Sequence, residues 1–130
     1  MERVLRKQGK LLDAKTTLRD AIKLFRNHAA DGNRHAQNEI AWLLATYPDP
    51  EVRDGCSAVT YAEKAVAATS RANASYLDTL AAAYAEAGDF AKAVTVQKEA
   101  IALLRTEKEI QDYSSRLKLY ESNTPYRDRE

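Results

Sequence analysis

Apolar and small residues recur along this chain at intervals of three and four, and polar stretches carrying its glycines and prolines interrupt them. Ala14, Leu18, Ala21 and Phe25 follow one such stripe. Ala58, Ala62, Ala65 and Thr69 repeat its spacing with smaller residues, and Ala93, Val96, Ala100 and Leu104 nearly do so again. Each set occupies one side of an α-helix. Partner helices precede two of them: Ile40-Ala41-Trp42-Leu43-Leu44 within about 34–47, and Leu77, Leu80, Ala81 and Tyr84 within about 74–87. A last helix over about 107–121 places Ile110, Tyr113, Leu117 and Tyr120 on one side of an otherwise charged surface.

The stripes belong to a repeat. Gln8-Gly9-Lys10-Leu11-Leu12-Asp13-Ala14 returns as Ala87-Gly88-Asp89-Phe90-Ala91-Lys92-Ala93, with a looser copy at Asp54-Gly55-Cys56-Ser57-Ala58. A second alanine follows seven positions on in each, at Ala21, Ala65 and Ala100. Self-similarity at this period indicates stacked helical hairpins, which build extended binding surfaces. Each glycine is expected to reverse the chain by taking positive φ. Two insertions stand out. Asn27–Asn33 lengthens the first connection, and Tyr47–Gly55 lengthens the turn inside the second hairpin, where Pro48 and Pro50 stop the preceding helix. Pro125 blocks continuation of the last helix, so 123–130 is either irregular or folds back through Tyr126.

Composition fits an all-α domain: 23 of 130 residues are alanine, against 4 glycines and 3 prolines. No apolar run approaches the ~20 residues of a membrane span, and no signal-peptide pattern opens the chain, so the cytoplasm is the expected location. The net charge of +1 is unevenly spread. Residues 1–34 carry nine Lys/Arg against four Asp/Glu, whereas 35–105 carry six against nine. Cys56 is the single cysteine and has no intrachain partner.

These residues resemble the tetratricopeptide repeat, a helix-turn-helix unit. In the best-matching unit Leu77 takes the large apolar position, Leu80-Ala81 the Leu-small pair and Tyr84 the aromatic. Gly88 makes its turn, and Ala93 and Ala100 line its second helix. Ile40-Ala41, Leu44, Ala58 and Ala65 carry a second unit, whose Pro-Asp turn and Arg53-Asp54-Gly55 are similar to a bacterial variant found near the C-terminus of larger proteins. The resemblance implies a solenoid of about two and a half to three repeats over 1–122. Its units lie at about 1–27, 34–70 and 74–105, followed by a capping helix at 107–121 and the tail 123–130. It also implies a partner-binding concave groove lined by Arg3, Arg6 and Lys7, then His35, Asn38, Glu39, Trp42 and Thr46, then Asp78, Thr79, Ala82 and Glu86. Trp42 either anchors a ligand there or fills the core beside Gln37. The chaperone-type carboxylate clamp is not expected, because Ser75 and Thr79 stand where cations are needed.

Enzymatic motifs are weak. His28 and His35 are joined by no metal-binding pattern, and Gly9-Lys10 lacks the other residues of a phosphate loop. No catalytic residue, metal or cofactor is expected. The sequence points to a protein-interaction module with a protein or peptide partner. One alternative is self-association through an open repeat end. The other is nucleic-acid or anionic-surface binding through Arg3, Arg6, Lys7, Lys10, Lys15, Arg19 and Lys23.

Overall fold

In the structure, a computed structural model, residues 20–24, 26–30 and 32–128 are described. Their regular structure is entirely helical. Helical backbone at 20–24 and 26–30 leads into α1 (Arg34–Thr46), α2 (Gly55–Ala68), α3 (Ala74–Glu86), α4 (Phe90–Ala102) and α5 (Glu107–Glu121). Each helix packs on the next in sequence, and α1 also packs on α3.

The helices start and stop for local chemical reasons. A side-chain oxygen caps every one of the five: Asn33, Asp54, Asn73, Asp89 and Thr106 accept from the amides of Ala36, Ser57, Tyr76, Lys92 and Glu109. Each satisfies one of the amides that a helix start leaves without an internal partner. Four helix ends share a different device, in which a left-handed residue returns two amides to the last turn. Gly88 (φ 91) does this after α3, where Gly88 N–H reaches Ala85 O and Asp89 N–H reaches Tyr84 O. Gly32, Ser70 and Asn123 make the same turn after Ala30, α2 and α5. The end of α1 differs. Tyr47 is extended before Pro48, and Arg53 covers the exposed carbonyls, its Nη1 donating to Tyr47 O and Pro48 O at 2.7 and 2.8 Å.

Alanine makes the core thin and tight. Ala41, Ala45, Ala58, Ala65, Ala81, Ala83, Ala93 and Ala100 are fully buried, and the larger Ile40, Leu44, Val66, Leu77, Leu80 and Tyr120 fill the space between helices. Burying each larger aliphatic side chain contributes about 1.5–3 kcal/mol, while the alanines let helix axes approach. Tyr61, Tyr76, Tyr84 and Tyr113 pack at the edge of this core.

Two sequence expectations are corrected. The stretch 27–33 is not an extended loop: helix continues through Ala30, and Gly32 closes it tightly. Gly55 also does not reverse the chain by positive φ. It is the first residue of α2, and a Cβ there would lie 2.7 Å from the Ala87 backbone nitrogen. Its missing side chain is what lets the start of α2 touch the end of α3. Leu5, Gly9, Ala14, Leu18 and Phe25 lie outside the described residues.

Gly55→Ala is therefore expected to destabilise the fold by about 1–3 kcal/mol, since backbone must yield. Ser70→Gly is expected to stabilise it by about 1 kcal/mol by relieving left-handed strain at φ 52. Urea unfolding of both variants checks this. Equal and small effects at the two positions would contradict the close approach at Gly55.

Candidate interaction face on α1 and α3

Helical geometry alone aligns Asn38, Trp42 and Thr46 at four-residue spacing on α1, and Asp78, Ala82 and Glu86 at the same spacing on α3. The packing of α1 on α3 places the two stripes side by side. What lies on them is the chain itself. After α5, Asn123 (φ 57) turns the backbone: Asn123 N–H donates to Tyr120 O and Thr124 N–H to Leu119 O at 2.8 Å. Pro125 cannot extend a helix, and the segment Pro125–Asp128 runs back across the face half-buried. Of the two sequence readings of this tail, the fold-back through Tyr126 is the one found.

Three consecutive residues make the contacts. Tyr126 sets its ring 5.7 Å from the Trp42 ring, tilted by 40°, with the Arg116 guanidinium 5.4 Å from the Tyr126 ring centroid on α5. Arg127 Nη1 lies 2.8 Å from Glu86 Oε1, an ion pair not aligned as a hydrogen bond, while Arg53 Nε holds the other Glu86 oxygen at 3.2 Å. Asp128 accepts from the Trp42 indole at 2.9 Å and gives its own amide to Thr46 O, a carbonyl that the end of α1 leaves free. Trp42 is thus partly buried against the core and partly covered by the tail.

Beneath this face lies a buried polar hub. Asp78 Oδ1 accepts from Arg116 Nε and from Gln97 Nε2, both at 2.9 Å, and Gln97 also donates to Tyr113 O. The Asp78 and Arg116 side chains are each only 9% exposed. Burial pushes the Asp78 carboxyl above its ordinary value, against the pull of Arg116. Burial and the nearby Asp78 also push the Tyr113 hydroxyl up to about 12. Arg116 reaches a second acid, Asp112, at 3.3 Å, and lies 4.9 Å from the Tyr113 ring. Among the described residues, the buried oxygens Asn38 Oδ1, Gln97 Oε1 and Tyr120 hydroxyl have no protein partner.

The expected groove residues divide accordingly. Trp42, Thr46 and Glu86 meet the tail directly. Asp78 does not present an open acid to a ligand but is consumed by Arg116 and Gln97. Asn38 and Ala82 are buried, and Thr79 is buried with its hydroxyl turned to Ser75 O. His35 and Glu39 remain at the open end of the α1 stripe, 3.9 Å apart. Arg3, Arg6 and Lys7 lie outside the described residues, as do Lys10, Lys15 and Arg19; Lys23 is exposed. The sequence reading missed Arg116, Arg53, Arg127 and Asp128. The single available signal was Arg116 on the apolar side of α5, one position from Leu117. Cys56 is exposed near the start of α2. Among the described residues no group of His, Cys, Asp and Glu could hold a metal ion, and no helix is long and apolar enough to cross a membrane. No protein-family model, curated protein or solved structure matches the chain.

Arg116→Leu removes the counter-charge and leaves Asp78 buried, an expected loss of about 3–5 kcal/mol at neutral pH. Adding Asp78→Asn is expected to recover most of it. The pH dependence has a definite sign. A carboxyl whose folded pKa is raised binds its proton more tightly in the folded chain. Arg116→Leu is therefore most stable below the unfolded value near 3.8 and weakens as pH climbs through the raised folded one. Urea unfolding at about pH 5 and about pH 7.5 checks this. A deficit identical at both pH values, or untouched by Asp78→Asn, would contradict the buried pair.

Proposed function

We propose that the chain is a protein-interaction module of the tetratricopeptide kind, an all-α solenoid of helical hairpins whose α1–α3 face binds an extended protein segment. The observation that carries this reading is the tail. An extended stretch of polypeptide rests on α1 and α3 and is contacted through both its backbone and its side chains. The repeat reading is supported by the pairing of α1 with α2 and α3 with α4, and by the contact of α1 with α3 across the intervening helix. Corresponding positions of the two stripes lie 40 residues apart, at 38 and 78, 42 and 82, 46 and 86. Large aromatic anchors such as Trp42 dominate the energetics of interfaces of this type.

Selection from a random peptide display library, against the full chain carrying Tyr126→Ser and Asp128→Ser to disengage the tail, tests the proposal. Peptides are expected to enrich whose affinity falls about thirtyfold when Trp42→Ala is added, the effect of losing ~2 kcal/mol at an anchor. Failure to recover any Trp42-dependent peptide from a chain with intact helical circular dichroism would refute it.

A further inference from the structure

Resting on that reading, we infer that the α1–α3 face selects protein segments with an aromatic residue, an arginine and an acid at consecutive positions, and that Tyr126-Arg127-Asp128 is the resident competitor such a partner displaces. The chemistry of each contact defines the ligand. The Tyr126 site is walled by an indole and a guanidinium, which favour a ring through stacking and cation–π attraction. Glu86 is held in place by Arg53 and faces the ligand with carboxylate charge, so the next position takes a cation. The Trp42 indole is a donor that cannot accept, so the third position takes an acceptor, and a carboxylate makes the stronger bond. Thr46 O fixes the backbone register by accepting one amide, which any residue except proline can give. Successive sites thus read aromatic, positive, negative.

The tail occupies these sites as a tethered ligand. Asn123 and Pro125 deliver it directly from the end of α5, so it sees the face at an effective concentration of the order of millimolar. A partner binds only in proportion to the fraction of chains whose tail is open. An arriving segment must therefore match the same three positions at least as well as the tail, which makes the tail a selectivity filter as well as a cover. Its hold is divided between α1, α3 and α5, so loss of one contact loosens it without disturbing the helices.

A labelled peptide spanning 122–128 serves as the probe, with fluorescence anisotropy as the readout. The full chain bearing Tyr126→Ser, Arg127→Ser and Asp128→Ser is expected to bind it at least about tenfold more tightly than the unaltered chain does. A Tyr126→Ser peptide is expected to bind neither. Should the triple variant not fold, Asp128→Ser alone must shift affinity in the same direction. Equal binding to altered and unaltered chains, or no binding to a folded altered chain, overturns the inference. An unaltered chain that sediments as a dimer, and dissociates on adding the peptide, also overturns it by making a second copy the occupant. Trp42-dependent library peptides of other chemistry, alongside failure of the 122–128 peptide, would remove this inference and leave the interaction reading standing.

Discussion

The buried ion pair between Asp78 and Arg116 is the constraint on which the rest of the arrangement depends. Removing two charges from water costs several kcal/mol each, and that cost is met only when geometry and extra hydrogen bonds are good. Here Asp78 receives Arg116 Nε and Gln97 Nε2 at 2.9 Å each, so one oxygen on α3 ties down both α4 and α5. An apolar replacement could pack as well, but it would not fix how α5 rotates on the helices beneath it. Arg116 then presents its guanidinium to Tyr126. The pair that seats the last helix also forms one wall of the site that seats the tail.

From that anchor the path of the chain follows from backbone chemistry. The same left-handed turn that ends α3 at Gly88 ends α5 at Asn123, and it points the chain back toward α1. Pro125 forbids another helical turn. The tail then finds a donor in the Trp42 indole, a carboxylate in Glu86 at the end of α3, and the carbonyl of Thr46, one of the backbone acceptors that a helix C-terminus leaves without an internal partner. Arg53 serves both elements: it caps the end of α1 and positions Glu86.

Much of the helical framework was legible in the sequence because alanine periodicity is a local signal. Helices expected at about 34–47, 74–87 and 107–121 are found at Arg34–Thr46, Ala74–Glu86 and Glu107–Glu121. Local reading failed where a residue's role depends on a distant one. Gly55 looks like any turn glycine until Ala87 is placed against it. Asp78 looks like a surface acid until Arg116, 38 positions on, is brought to it. Trp42 was ambiguous between core and groove because the residue that settles its environment, Asp128, is 86 positions away. The stretch 27–33 misled for a different reason: Asn27 and His28 are weak helix formers, but Ala29, buried against the core, keeps the helix going.

The single tryptophan gives the most direct test of the seated tail. Its indole N–H gives one cross-peak in a nitrogen–proton NMR spectrum, and in the structure that proton is bonded to Asp128 beneath the tail. Its exchange with solvent is predicted to be roughly tenfold or more slower than in a free indole, and Asp128→Ala is predicted to speed exchange and move the peak. An indole proton exchanging at the free rate, with a peak that does not respond to Asp128→Ala, would contradict a tail seated on the α1–α3 face.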